Sequence, residues 1–550
     1  MQVYIQKETG TYADTLKAVG LADLLREVTS QDVRIRNVGS HFEIEGANPP
    51  PVESWHAITP GYPYILDAKD KDIPQGKVLD YEREKEKVKI LREFRQATGK
   101  KGEKVKAALK EQSLSAPEQP DKEYQMALFL AMMRKGWSSD KQLYRWIMDN
   151  QDSAKAQAAK LLGLNAGIAE DNFPAISNSQ VFNPIAGKGV HRPKPDSASP
   201  SSISKAIIDG SNEWLKFRGA YKAMLPYRAG DDFKVFVIEP GDISMDAIGR
   251  LRSEMLALSL YGNLRLDIDT SLRLLQILIM NSDAFGQGIN LFGRFPARVV
   301  AGLHQAYFQS LGNAAALMNY AFMPLPSWFA VTDQESANAY LEIIKEHASD
   351  KNRDGETGCL RVLNEDNSGD IPVLQSYREW LSTGSLDTLL DFLSLFALKV
   401  VERRGRNEWV REFSVEGLNE LLGRGYKFVL DIITNDGFKN VARAIRNATI
   451  YALSLKRREV HFGLAQEWKQ KIKGGAKEFV PALANFVQRY NWESEKIKAH
   501  VVKQEDLDAV IGLIDEHGAE LVGMLLLAYG YARAPKIEQD VEKGEVLVEA

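Results

Sequence analysis

The chain opens on a short β-rich run, Val3-Tyr4-Ile5. Apolar residues then recur at helical spacing: Leu16, Val19, Leu24 and Val28, with Leu21 and Leu25 beside them. Residues three or four apart share one helix face, so this stretch predicts an amphipathic helix. From Val33 to Glu45 the period changes to two. Val33 and Ile35, then Phe42 and Ile44, flank a Gly-Ser turn, which predicts a hairpin ended by ANPPPVESW.

From Asp67 to Glu123 the apolar positions thin out, and EREKEKVKILREFRQATGKKGEKVKAALKEQ predicts a charged helical insert. Three helices are expected next: YQMALFLAMMRKGW, then SSDKQLYRWIM with Ser139 and Gln142 at capping-box spacing, then DSAKAQAAKLLG. Beyond the Pro/Ser-rich stretch FNPIAGKGVHRPKPDSASPSS (Phe182 to Ser202), SKAIIDGSNEWLKFRGAYKAML predicts a helix. FKVFVIEP (Phe233 to Pro240) is the clearest central strand. SMDAIGRLRSEMLAL and TSLRLLQILIM predict helices, and NLFGRFPARVVAGLHQAYFQSLGNAAALMNYAFM is expected to be helical in its second part. The span ASDKNRDGETGCLRVLNEDNSGD is expected to be a long polar loop or a β-excursion. Past Ile371 strand signals fade, and five or six amphipathic segments between Tyr377 and Arg533 predict a helical bundle. The fold class expected is α+β, with a mixed N-terminal and central region followed by a helical bundle. The expected divisions are 1–180, a central region 181–370 with a basic loop, the bundle 371–535, and a frayed acidic tail 536–550.

At 550 residues the chain is long enough for several cores. Its longest apolar runs, Asp387 to Val401 and Leu521 to Ala532, fall short of the roughly 20 residues a membrane span needs, so buried helices are expected. Cys359 is the one cysteine, which excludes an internal disulfide and a cysteine-based metal cluster. With no signal-peptide pattern at the start, the expected compartment is the cytoplasm. A net charge of -4 argues against a histone-like binder and leaves local patches open.

Motifs for catalysis are missing from the sequence. Gly187-Lys188 is followed by Gly189 where a P-loop needs Ser or Thr to hold magnesium, and its first glycine would fall at Phe182. Asp350, Asn352, Asp354 and Gly355 match the first half of an EF-hand loop. Its twelfth position, which must supply a bidentate carboxylate, is Arg361. The eight histidines (His41, His56, His191, His304, His347, His461, His500, His517) show neither HxH nor HxxxH spacing, and none precedes Asp. There is no GxSxG elbow, and Cys359 has no marked activating base. A binder or scaffold is expected rather than an enzyme, with no cofactor and no metal.

Two basic regions interleaved with aromatics remain. Between Lys188 and Arg228 there are eight cations against three acids, with Trp214, Phe217, Tyr221 and Tyr227 among them. The candidate contacts are Lys188, His191, Arg192 and Lys194 in the loop, then Lys216, Arg218, Lys222 and Arg228. Between Lys399 and Lys477 there are seventeen cations against nine acids. Here Lys439, Arg443 and Arg446 share one helix face by spacing, and Lys456, Arg457 and Arg458 follow. Cations position a phosphate backbone and aromatics stack on bases. The plain alternative for both regions is a solvated charged face.

The strand-helix start with YADTLKAVGLADLL, the FNPIAGKGVHRPKPD element, WLKFRGAY before FKVFVIEP, and the closing bundle resemble the large subunit of type I CRISPR Cascade complexes, in the variants of myxobacteria and cyanobacteria. The likeness spans the chain in layout, and in sequence it concentrates in the first 30 residues and in Phe182 to Pro240. The resemblance implies a non-catalytic RNA- and DNA-binding subunit of an antiviral complex. It would contact the crRNA handle, recognise the protospacer-adjacent motif in double-stranded target DNA and help to open the R-loop. It also implies backbone and small CRISPR subunits as partners, together with a helicase-nuclease or a transposition adaptor, and no membrane. The competing expectations are a nucleic-acid-processing enzyme with a scattered site and a structural partner-binding protein.

Overall fold

The computed structural model describes residues 1–96, 117–133, 136–164, 182–184, 210–258, 260–312, 315–326, 330–348, 358–455, 461, 463–497 and 499–534. The chain is a mixed α+β protein, with sheets in its N-terminal and central parts and an all-helical C-terminal region. It divides into two compact units. The first comprises residues 1–262, 288–290 and 296–325, and the second 263–287, 291–295 and 326–550. The expected central region 181–370 is shared between the two units.

The first unit holds every named strand. Strands β1 (Gln2–Gln6), β2 (Arg34–Asn37) and β3 (His41–Glu45) form as the alternation predicts, with Ile35 opposite Ile44 and Asn37 opposite Phe42. Gly39 makes the turn at a φ of 95°, a conformation that disfavours side chains. The edge strand β8 (Asp242–Ser244) completes an antiparallel sheet of order β1-β3-β2-β8. A small parallel pair, β4 (Tyr64–Leu66) and β5 (Val78–Asp80), sits where the sequence pattern predicts no strand.

The second four-stranded sheet is antiparallel throughout. Strand β7 (Asp232–Pro240) is central and buried along almost its whole length, as FKVFVIEP predicts. It lies between β6 (Met224–Ala229) and β9 (Val300–Ser310). The segment expected to be helical is a hairpin instead: β9 turns at Gly312, φ 69°, into β10 (Ala315–Pro324), which gives the strand order β10-β9-β7-β6. The reason is physical. Val300, Gly302, Leu303, His304, Gln305 and Ala306 are all buried, so β9 shows no polar face and its period of two is hidden. Short apolar runs of this kind do not distinguish strand from helix.

Helix Tyr12–Thr29 crosses helix Gly210–Ala223 at very close range. A Cβ on Gly20 would lie 1.8 Å from the Leu215 carbonyl oxygen, and one on Gly219 would lie 2.0 Å from that of Leu16. The two glycines are therefore the contact, each meeting the other helix's backbone. Further helices of this unit are Tyr81–Gln96, Tyr124–Met132, Gly136–Asp149, Gln151–Leu161 and Met245–Leu256. Helix Gly136–Asp149 begins before Ser139, so the capping-box spacing does not mark its start.

The second unit is helical, with ten α-helices from Ile371 to Gly530 among the described residues, more than the pattern predicts. Breaks such as Thr449 and Gly474-Gly475 divide runs that read as continuous. Its core is aromatic. Tyr377, Trp380, Phe392, Phe396 and Phe413 pack edge-to-face or tilted, and His347 lies among them. Burial drives the His347 imidazole down to a pKa of about 3, so it is neutral there, and its Nδ1 lies 2.9 Å from the Tyr377 hydroxyl. Cys359, expected in a polar loop, is fully buried, and burial pushes its thiol up, away from thiolate chemistry. The apolar run Leu521 to Ala532 lies in helix Ala519–Gly530, which is buried along most of its length. Among the described residues no helix is long and apolar enough to cross a membrane.

Candidate nucleic-acid interface

The loop residues Lys188, His191, Arg192 and Lys194, and Lys456, Arg457 and Arg458 of the second region, lie outside the described residues. Phe182, Asn183 and Pro184 show where the loop is tethered. Phe182 is buried edge-on against Phe217, with ring centroids 4.7 Å apart. The Asn183 amide donates to Glu213 at 3.1 Å, and Lys216 Nζ donates to the Asn183 carbonyl oxygen at 2.5 Å.

Helix Gly210–Ala223 spends its cations internally. Lys216 also pairs with Glu213 at 2.7 Å. Arg218 is 1% exposed and donates to Asp23 at 2.7 Å, to Glu27 at 2.6 Å and to the Thr59 carbonyl at 2.7 Å. Lys222 reaches the other Asp23 oxygen at 3.1 Å. Burial alone would raise the Asp23 carboxyl, but Arg218 and Lys222 outweigh it and hold that carboxyl below its ordinary value. Arg218, Lys222 and Arg26, with Asp23 and Glu27, line an open cleft of about 380 Å³. Arg218 therefore anchors the fold from the inside and presents no free charge to a polymer. Arg228 on β6 is more than half exposed, with Asp231 3.8 Å away.

In the second unit the expected stripe runs from solvent into the core. Lys439 is 53% exposed beside Asp436, Arg443 is half-buried, and Arg446 is 3% exposed and donates to the Tyr529 carbonyl. The three do share a helix face by spacing. Helix Asp436–Ala448 packs against helices Gln504–His517 and Ala519–Gly530, so that face is covered toward its C-terminal end. Face and exposure are separate properties, and spacing predicts only the first.

Other residues combine charge with an accessible ring. On helix Ala476–Lys496, Trp492 is 60% exposed, and Lys496 Nζ lies 3.0 Å from its ring centroid. Arg489, one turn earlier, is also exposed and ion-pairs Glu493 at 3.5 Å. Phe428 (63% exposed) follows exposed Lys427, and Trp409 (57% exposed) follows exposed Arg406 by three residues. The signal is present in the sequence as RYNWESEK, with cations three before and four after a Trp. It falls beyond the basic stretch that ends at Lys477.

Two clusters of titratable groups carry a different chemistry. Glu239 on β7 accepts from Lys7 and Asn37, each at 2.8 Å, and lies against His304 Nε2. His304 Nδ1 lies 2.5 Å from the Tyr320 hydroxyl, which accepts from the Tyr12 amide at 3.0 Å. Burial would raise Glu239, but His304 and Lys7 outweigh it and hold the carboxyl at about 2. Each of these groups is bonded to another, so the chain Glu239–His304–Tyr320 ties β7, β9 and β10 to the N-terminus of helix Tyr12–Thr29. The second cluster is at the surface of the helical unit. Ligand atoms of Asp431, Glu516 and His517 lie within 4.8 Å of one another, with His517 Nε2 2.6 Å from Asp431. These three are the described residues best placed to approach a cation together, and no histidine spacing marks them. No protein-family model and no curated protein sequence matches the chain.

Proposed function

We propose that the chain is a non-catalytic, nucleic-acid-binding subunit of an RNA-guided complex of the type I CRISPR kind. In this reading it holds guide RNA and target DNA while base pairing supplies the sequence readout. One observation carries the binding part of this reading: in the helical unit, Trp492 stands in solvent with Lys496 over its ring, and exposed Phe428 and Trp409 follow exposed Lys427 and Arg406 closely in the chain. An exposed ring costs hydrophobic free energy unless a partner covers it, and a base stacked on it with phosphates near the cations is such a partner. Phe182 and Asn183, which precede the basic run Lys188 to Lys194 in sequence, are held against helix Gly210–Ala223. The placement in a CRISPR complex rests on the sequence resemblance alone.

The test is purification of the tagged chain from cells that express a CRISPR array and its backbone subunits, with sequencing of any RNA retained. Target-duplex binding is then measured for the wild type and for K188A/R192A/K194A. Retained guide-length RNA and weakened duplex binding by the triple variant support the reading. A preparation free of nucleic acid, or metal-dependent turnover of nucleic acid by the chain alone, overturns it.

A further inference from the structure

One buried group in the first unit has no use in the proposed function. Asp140, on helix Gly136–Asp149, is 3% exposed, and neither of its carboxylate oxygens has a hydrogen-bond partner. The Tyr221 hydroxyl, on helix Gly210–Ala223, is likewise buried and without a partner. The two belong to one cluster. Tyr62 donates its hydroxyl to the Asp140 main-chain carbonyl at 3.2 Å and stacks on Tyr221 at 5.7 Å, while Tyr144 meets Tyr62 edge-on at 5.9 Å. Tyr62 thus links the two residues whose buried oxygens have no partner, through its hydroxyl to Asp140 and through its ring to Tyr221.

The neighbouring charges do not answer Asp140. Arg218 is committed to Asp23 and Glu27, and Arg252 forms a two-fold pair with Glu123 at 2.7 Å. A lone proton does not settle the site either. A protonated Asp140 would carry an O–H, and the Tyr221 oxygen, the evident acceptor, is not within bonding reach of it. Leaving such groups unsatisfied in an apolar interior is costly. Burial pushes the Asp140 carboxyl well above its ordinary value, and burial first, then the Asp140 charge, raises the Tyr221 hydroxyl.

We propose that Asp140 and Tyr221, with the ring faces of Tyr62 and Tyr144, bind one weakly hydrated monovalent cation of the potassium or ammonium class. The donor set selects that class. One carboxylate balances one positive charge in a poorly polarisable interior. Aromatic faces attract large monovalent cations. Calcium and magnesium carry a second positive charge that one carboxylate leaves unbalanced. The ion would lock helix Gly136–Asp149 against helix Gly210–Ala223, the element that tethers Asn183, and so would stiffen the root of the basic loop.

The test uses the full chain. Thermal unfolding is followed at matched ionic strength in potassium, ammonium, lithium and N-methylglucamine chlorides, and rubidium retention is measured by equilibrium dialysis. The expected result is a Tm higher by about 3 °C in potassium or ammonium than in lithium, and about one rubidium bound per chain. Asp140→Asn abolishes both effects, and Tyr221→Phe weakens both. Equal Tm values in all four salts, or rubidium retention unchanged in Asp140→Asn, overturn the proposal. Should Asp140→Asn fold poorly, the wild-type salt series and Tyr221→Phe decide alone. None of these readouts involves nucleic acid, so they stand or fall apart from the proposed function.

Discussion

The two units differ in how much charge they leave exposed, although both bury some ion pairs, such as Asp370 with Lys399 in the helical unit. In the sheet-bearing unit, charged groups are drawn inside and paired: Arg218 with Asp23 and Glu27, Arg252 with Glu123, Glu239 with His304 and Lys7. In the helical unit the core around Tyr377 and Phe413 is aromatic, and Arg406, Lys427, Lys439, Lys473 and Lys477 of the second basic region stay exposed. A count of cations along a segment therefore means different things in the two places. Among the described residues, the cations of helix Gly210–Ala223 form an internal brace, whereas the cations just named in the second region are exposed. The contrast follows from the architecture. Helices Tyr12–Thr29 and Gly210–Ala223 meet backbone to backbone, so side chains flanking the crossing have nowhere to go but into each other. A helix of the bundle can turn its polar stripe outward.

The strongest way to break the contrast is at that crossing. Gly20→Ala places a methyl group 1.8 Å from the Leu215 carbonyl oxygen, a backbone atom that cannot swing away. The helices must separate, and the Arg218 brace goes with them. A loss above about 4 kcal/mol is expected, read as a lowered urea midpoint. Gly249→Ala, in open space on helix Met245–Leu256, is the matched control and should be neutral or slightly stabilising. Equal midpoints for the two variants would show that the close crossing does not carry the unit.

Next in size is the brace itself. Arg218→Ala leaves Asp23 and Glu27 facing each other with only Lys222 to answer them. A loss of about 3–4 kcal/mol is expected, because an uncompensated buried charge remains. Lys439→Ala, the same kind of change in the other unit, should move stability by less than about 0.5 kcal/mol. Both positions read alike in the sequence, as cations on amphipathic helices rich in aromatic or apolar neighbours. What separates them is tertiary: Arg218 lies under the Thr59–Gly61 segment, which no local pattern brings there.

The same distinction explains how much was legible in advance. The start of the chain was readable because Leu16 and Val19 recur at helical spacing while Ile35 and Ile44 fall on the buried positions of alternating strands, even though the helix is buried on nearly all sides from Tyr12 to Leu25. Strand β7 was readable because β-branched and aromatic residues are continuous from Val235 to Ile238. The β9–β10 hairpin was not, because both faces of β9 are covered and Ala315 to Met318 carries strong helix formers. Of the candidate contacts, the sequence identified helix faces correctly, yet it could not say that Arg446 ends against Tyr529 while Lys439 stays in solvent. Pairings at long sequence separation, such as Arg252 with Glu123 or Glu239 with His304, have no periodic signature at all.

The Glu239 network sharpens the comparison through pH. Its carboxyl titrates at about 2 when folded, against an ordinary value near 4.5. A depressed carboxylate contributes stability that is full above the unfolded value and is lost as pH falls from about 4.5 to about 2. The contribution is about 3 kcal/mol, since each tenfold change in proton affinity is worth about 1.4 kcal/mol. Glu239→Gln should lose about 2–3 kcal/mol at neutral pH and flatten the acid limb of the stability curve, measured by urea titrations at stepped pH. His347→Gln, in the aromatic core of the helical unit, acts in another window. That imidazole is held neutral at about 3, so its wild-type contribution is present above the unfolded value near 6.5 and falls away as pH drops from there toward 3. An acid limb unchanged in Glu239→Gln would remove the network as the source of acid sensitivity.

The smallest effect on stability, and the most direct on function, is expected at Trp492. The ring is 60% exposed, so Trp492→Ala removes little buried surface and should leave the unfolding midpoint within error of wild type. If a base stacks there, affinity for single-stranded nucleic acid should drop about 5-fold, as a lost stack of about 1 kcal/mol requires. Lys496→Ala separates charge from stacking: it should lower the slope of log affinity against log salt by about one while the base-dependent part of binding persists. Arg218→Lys, kept inside the brace, should change neither slope nor affinity where the fold survives. A salt slope that responds to Arg218 and not to Lys496 would reverse the assignment of the two regions, making the brace the face and the face a bystander.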